Sequence, residues 1–127
     1  MRRVLSLAIL SATVAASSSA ALAQATGDPV AGAALFEDRC VMCHLAAGGG
    51  QGPSLTGVFG RKAGTVAGFH YTPALKASAI TWTFPELDRF LAGPGKAVPG
   101  TAMAVTLHDP RQRADLIAWL ASRKARP

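Results

Sequence analysis

The stretch Cys40-Val41-Met42-Cys43-His44 sets two thiols three positions apart, with an imidazole directly after the second. Four chemistries use such residues. A disulfide between the two cysteines would close a tiny loop and constrain little. A thioredoxin-like redox pair belongs in a βαβ context, and no such pattern surrounds it. A zinc site would need further Cys or His ligands at a recognisable spacing. Covalent haem attachment accounts for every position. The two sulfurs add to the two vinyl groups of the ring as thioethers, and the two-residue spacer sets them one helical turn apart. The adjacent imidazole then lies under the ring, where it can bind iron.

Iron held in this way has one axial position left, for a methionine, a histidine or nothing. Met1 falls in the N-terminal stretch discussed below, and Met42 sits between the attachment cysteines on the His44 side. Met103 remains, in Val98-Pro99-Gly100-Thr101-Ala102-Met103, where a Pro-Gly turn can aim a thioether inward. Its alternative role is ordinary core packing. His70 and His108 are the rival ligands, each more often a surface histidine, and composition alone favours Met103 only modestly.

These groups need elements to hold them. Helix punctuation is easy to find and strand alternation is not. Asp28-Pro29 reads as an N-cap and first helical residue, predicting a helix to about Asp38. Thr72-Pro73 opens a shorter one through Ala77. Thr83 and Glu86 have capping-box spacing, and the helix they start stops at Gly93-Pro94. Asp109-Pro110 caps a last helix through about Arg123. On it Arg113, Leu116, Ile117 and Leu120 share a face, with Trp119 adjoining. Between the helices lie long Gly/Pro-rich loops, 46–62 and 94–108. Four short helices with so much loop make a poor independent core. Loops of this length stay ordered by wrapping a large apolar object.

The N-terminus carries an export signal: Arg2 and Arg3, an apolar run from Val4 to Ala16, and the small-x-small site Ala21-Leu22-Ala23. Residues 1–23 are read as a cleaved signal peptide and 24–127 as one domain beginning at Gln24. The apolar run is short for a bilayer span of about 20 residues, and no other segment spans, so no permanent membrane anchor is expected. Export fits haem attachment, which takes place outside the cytoplasm. Removing Arg2 and Arg3 from the 13 basic residues leaves 11 against 7 acidic ones, a net charge of +4. Much of that excess lies late, from Arg111 to Arg126. Export, and the lack of interleaved aromatics, argue against nucleic acid as a partner. A solvated basic face or an acidic protein partner fits better.

Four segments, "GDPVAGAALFEDRCVMCH", "GPSLTGVFGRKAGTVAGFHYTPALKASAITW", "VPGTAM" and "RADLIAWL", resemble the class I cytochromes c, close to the cytochrome c2 and mitochondrial type. They follow the family order and cover nearly all of the chain after the signal. The resemblance implies an all-α cytochrome c fold, short helices and long loops around one haem c bound through Cys40 and Cys43. It implies His44 as the proximal ligand and Met103 as the distal one. Pro53 matches the residue whose carbonyl holds the proximal imidazole proton. Arg61, Tyr71 and Trp82 match groups around the buried haem propionate, and Thr101 a hydroxyl beside the haem on the methionine side. Gly32 and Phe36 match first-helix positions that pack on the last helix at Leu116 and Trp119.

The function so implied is that of a soluble periplasmic one-electron carrier, not an enzyme, working as a monomer. It would shuttle between membrane redox complexes, a cytochrome bc1-type donor and an oxidase or reaction-centre acceptor. The alternatives are a haem c subunit of a larger oxidoreductase and a ligand-binding haem enzyme. Departures from the family concern tuning and docking. The loop after His44 is shorter. Val105 stands where many relatives carry an aromatic, and Leu75 where a polar residue is usual. Ala34, Gly95 and Ala102 occupy positions that are often lysine, while Arg39 and Lys96 remain.

Overall fold

A computed structural model describes residues 27–124. The expected signal peptide and its expected cleavage site lie outside the described residues, as does Arg126. Five α-helices follow in chain order: α1 (Pro29–Arg39), α2 (Pro73–Ala77), α3 (Phe84–Ala92), α4 (Pro94–Ala97) and α5 (Pro110–Ser122). Among the described residues no strand forms; a single antiparallel bridge joins Lys62 and Thr81.

Each helix carries a proline in its first turn, where the missing N–H removes no hydrogen bond. Three of the four expected N-caps close as side-chain caps. Asp28 accepts from Val30 N at 2.8 Å, Thr72 from Leu75 N at 3.3 Å and Asp109 from Arg111 N at 2.8 Å. The capping box expected at Thr83 does not form, and the Thr83 side chain makes no cap bond. Its intended partner, Glu86, pairs instead with Arg89 at 2.6 Å, one turn along the exposed face. The second long loop also differs from expectation. Pro94 ends α3 and at once opens the single-turn helix α4, so Lys96 is helical rather than looped.

The frame is the crossing of α1 on α5. Gly32 meets α5 so closely that a Cβ there would stand 2.1 Å from the Asp115 carbonyl oxygen. Four residues on, Phe36 lies against Trp119, with ring centroids 4.4 Å apart. The Asp115 carboxylate accepts from the Asp28 backbone N–H at 2.7 Å, so α5 also holds the entry to α1. From the expected face of α5, Leu116, Ile117 and Leu120 are buried. Arg113 instead reaches α3 and the preceding loop: its Nε donates to Asp88 at 2.6 Å, and its Nη1 to the carbonyls of Leu107 and His108. Buried Leu87, Phe90 and Leu91 of α3 complete this wall. Between it and the long loops the chain leaves a cleft.

Candidate haem-binding site

The cleft has a volume of about 360 Å³, within the range of pockets that take small organic molecules. Its wall is mostly apolar, with Leu55, Val58, Leu87, Phe90, Leu91 and Leu116 contributing. All nine residues singled out from the sequence lie on it: Cys40, Cys43, His44, Pro53, Arg61, Tyr71, Trp82, Thr101 and Met103. Of the rival ligands, His70 lies on the wall and His108 does not.

The end of α1 brings the first three together. The chain keeps helical turns past Arg39, with Cys43 N and His44 N both donating to the Cys40 carbonyl, at 3.2 and 2.9 Å. One turn therefore separates the two thiols. Cys40 is buried, and that burial pushes its thiol up to about 11 against the opposing pull of Arg39. As a neutral thioether the same sulfur carries no such penalty.

The following loop returns to its own start. Gly52 N donates to the Cys43 carbonyl at 2.9 Å, and the next residue, Pro53, places its carbonyl oxygen 2.8 Å from His44 Nδ1. A carbonyl only accepts, so Nδ1 carries the proton and the Nε2 lone pair is left for a metal. Gly52 makes this return possible. A Cβ at that position would lie 2.5–2.9 Å from three atoms of the His44 ring. The sequence reading missed Gly52 as a site residue. The Gly-Pro pair was its only local sign, and the imidazole it faces is eight residues away.

Arg61 spans the 54–56 turn, with Nη1 donating to the Thr56 carbonyl at 2.9 Å and Nη2 to that of Ser54 at 3.0 Å. Burial pulls its pKa down and the nearby Tyr71 phenol opposes that pull. A guanidinium stays charged all the same. The Tyr71 hydroxyl accepts from Val66 N at 3.3 Å. Trp82 is buried edge-on to Phe90, with centroids 5.0 Å apart. In the other long loop the Thr101 hydroxyl accepts from Met103 N at 3.4 Å and so braces the turn that carries the thioether.

The donor set fits a haem c. Two thiols one turn apart, an imidazole with Nε2 free and a thioether share one apolar wall. Arg61 and Tyr71 supply a charge and a hydroxyl that can receive acidic groups carried into such a wall. Leu75 and Val105, two of the departures from the family, also line it and leave those parts apolar.

A protein-family model described as "Cytochrome c" matches residues 29–124. Curated proteins named cytochrome c are similar over most of the chain. That of Chlamydomonas reinhardtii is 46% identical over 98 residues, covering 74% of this chain and 88% of its own length. That of Cochliobolus lunatus is 49% identical over 98 residues, with 74% and 91% covered. Among solved structures, cytochrome cH from Methylobacterium extorquens superposes with a TM-score of 0.72 at 42% identity, over 76% of this chain and 99% of that one. With motif, helical frame and cleft in agreement, the chain belongs to the class I cytochromes c, one-electron carriers that hold a single covalent haem c.

Proposed function

We propose that this protein is a periplasmic electron shuttle whose haem c would be attached at Cys40 and Cys43 and ligated by His44 and Met103. The observation that carries the reading is the His44–Pro53 contact: a backbone carbonyl at 2.8 Å fixes the ring, its tautomer and the free Nε2. Met103 shares the same cleft, and His108 lies off it. Bound haem supplies an iron that changes charge by one unit. Everything else is the chain's work. His44 and Met103 would both ligate that iron, leaving no position on it for a substrate. A thioether donates weakly and an apolar wall disfavours extra charge, and both favour the reduced form. Arg61, Tyr71 and Trp82 would receive the acidic groups of the ring. Thr101 fixes the Met103 turn. A frame held by the α1–α5 crossing changes little on electron transfer, so little reorganisation opposes it.

The signal at residues 1–23 supports export to the periplasm. No helix among the described residues is long and apolar enough to cross a membrane. The partners proposed are a cytochrome bc1-type donor and an oxidase or reaction-centre acceptor, met by a monomer.

Mass spectrometry of the exported protein should give the chain from Gln24 plus one haem that resists acid–acetone extraction. The oxidised form should show the weak far-red sulfur-to-iron band, and Met103→Ala should abolish it and lower the potential. Freely extracted haem defeats attachment. A wild type without the band, whose spectrum changes in His70→Ala, defeats methionine ligation. Co-elution with a larger oxidoreductase defeats the free shuttle.

A further inference from the structure

The loop that carries Met103 is held at its two ends and not between them. Upstream, Thr101 N donates to the Val98 carbonyl at 3.0 Å and Met103 N to the Thr101 hydroxyl at 3.4 Å. Downstream, Leu107 is 2% exposed, and its N–H donates to the Leu91 carbonyl at 2.9 Å. That carbonyl lies in the last turn of α3, where it has no partner within the helix. Among the described residues, no backbone-to-backbone hydrogen bond holds 104–106. The place of the thioether therefore depends on how firmly Leu107 is held.

One side chain strengthens that hold. Arg113 stands four residues into α5, and helical side chains lean toward the N-terminus, so it reaches back over the residues that enter the helix. Its Nη1 donates to the Leu107 carbonyl at 2.9 Å and to the His108 carbonyl at 3.0 Å, while its Nε donates to Asp88 at 2.6 Å. Asp88 lies on α3, three residues before Leu91. Both polar groups of the Leu107 backbone thus end on α3, the N–H directly and the carbonyl through Arg113 and Asp88. The Arg113 side chain is only 12% exposed, so water and salt screen its pair little. The other arginine pairs lie in solvent: Arg89 is 49% and Arg111 73% exposed.

We propose that Arg113 is a positioning residue for the sulfur ligand: by tying the Leu107 and His108 carbonyls to Asp88, it fixes the downstream end of the Met103 loop and keeps the thioether in the cleft. The inference rests on the reading that Met103 ligates the haem iron. Four residues separate Met103 from Leu107, a reach of about 13 Å when extended. A loop freed at Leu107 has room to swing its sulfur clear of the cleft wall. Arg113 is not on that wall, so it acts only through the loop it holds.

Added imidazole reads the hold, because it reaches the iron only in molecules whose loop has let go, and its apparent affinity scales with that fraction. The oxidised holoprotein would be titrated with imidazole, followed by haem absorbance, as wild type, Arg113→Gln, Asp88→Asn and Arg111→Gln. Arg113→Gln should bind imidazole about tenfold tighter than wild type, the low end of what one hydrogen bond to a charged group supplies. Asp88→Asn leaves the guanidinium on its carbonyls but unanchored, and should move the same way by less. Its carboxylate is partly exposed, so it carries the test alone if Arg113→Gln yields no holoprotein. Arg111→Gln removes the same charge from the same helix, but its side chain bonds only Asp115, and it should match the wild type. Wild-type affinity in the Arg113 and Asp88 variants, even with lower stability to guanidinium, overturns the inference and leaves Arg113 a merely structural tie. Equal tightening in Arg111→Gln overturns it as well, since charge alone would then be the cause. An oxidised wild type without the far-red band overturns the Met103 reading itself.

Discussion

Replacing Gly32 by alanine isolates what holds the two ends of the chain together. In an ordinary helix interior this change stabilises by about 1 kcal/mol, because alanine loses less backbone entropy than glycine. Here the new methyl would stand 2.1 Å from the Asp115 carbonyl oxygen, 2.6 Å from its carbon and 2.9 Å from Trp119 Cβ. Two of those atoms are backbone, so no rotamer change relieves the clash. Restoring ordinary contact at 3.4 Å moves α1 off α5 by about 1.3 Å. Overpacking of this kind costs about 1–3 kcal/mol, and rigid walls put it near the top of the range. Parting the helices also weakens the Phe36–Trp119 ring contact, worth about 1 kcal/mol. After the propensity gain is set against both losses, the variant should be about 2–3 kcal/mol less stable. For a domain of this size that is a fall of roughly 10–20 °C in Tm. Thermal unfolding of the holoprotein, followed by far-UV circular dichroism and haem absorbance, reads it directly. Gly95→Ala in α4, where nothing lies within 4 Å of the new methyl, is the control and should be neutral or slightly stabilising. A Gly32→Ala protein that melts with or above the wild type would show that the close approach at the crossing does not govern stability.

Gly52→Ala should push the His44 ring off the Pro53 carbonyl, weakening it as a donor. The potential should rise and stability fall by about 1–3 kcal/mol, measured by redox titration and guanidinium unfolding; no change in either would show that the loop yields without moving the ring. Docking should depend only modestly on salt. Ala34, Gly95 and Ala102 expose small neutral surface, Arg39 and Lys96 leave few charges to steer, and screening acts over about 8 Å at physiological ionic strength. Stopped-flow oxidation by the isolated acceptor checks this. A rate that collapses with salt, and that Arg123→Glu cripples as much as Lys96→Glu, would place docking on the α5 face instead.

What could be read from the sequence was what is local. The Cys40–His44 spacing declares its chemistry within five residues, and Asp28, Thr72 and Asp109 declare helix starts through bonds that span two or three. Thr83 had the right spacing and failed: its N–H goes to the Thr81 carbonyl and Glu86 pairs with Arg89. Pro94 was read as a stop signal, and it is equally a start, since a proline suits the first turn of whatever follows it. Gly52 and the grip of Arg61 on two carbonyls were not legible. Their meaning lies in what faces them, and chain separation alone does not show that. Met103 was only modestly ahead of two histidines until family resemblance singled it out. The cleft sets His108 aside and leaves His70 beside it.

The burial of Cys40 has a consequence for biogenesis. In the finished fold Cys40 is shielded from all but the cleft, and its thiol, at about 11, is almost never the reactive thiolate at neutral pH. A thioether cannot readily be made at such an atom once the walls are shut. The walls shut only when α5, the last element synthesised, reaches α1, a closure joining residues 87 apart through Asp28 and Asp115. The bond at Cys40 therefore belongs to an open chain, before its final helix has docked. Attachment is easiest ahead of that docking, and a variant that closed too fast should attach haem slowly at Cys40.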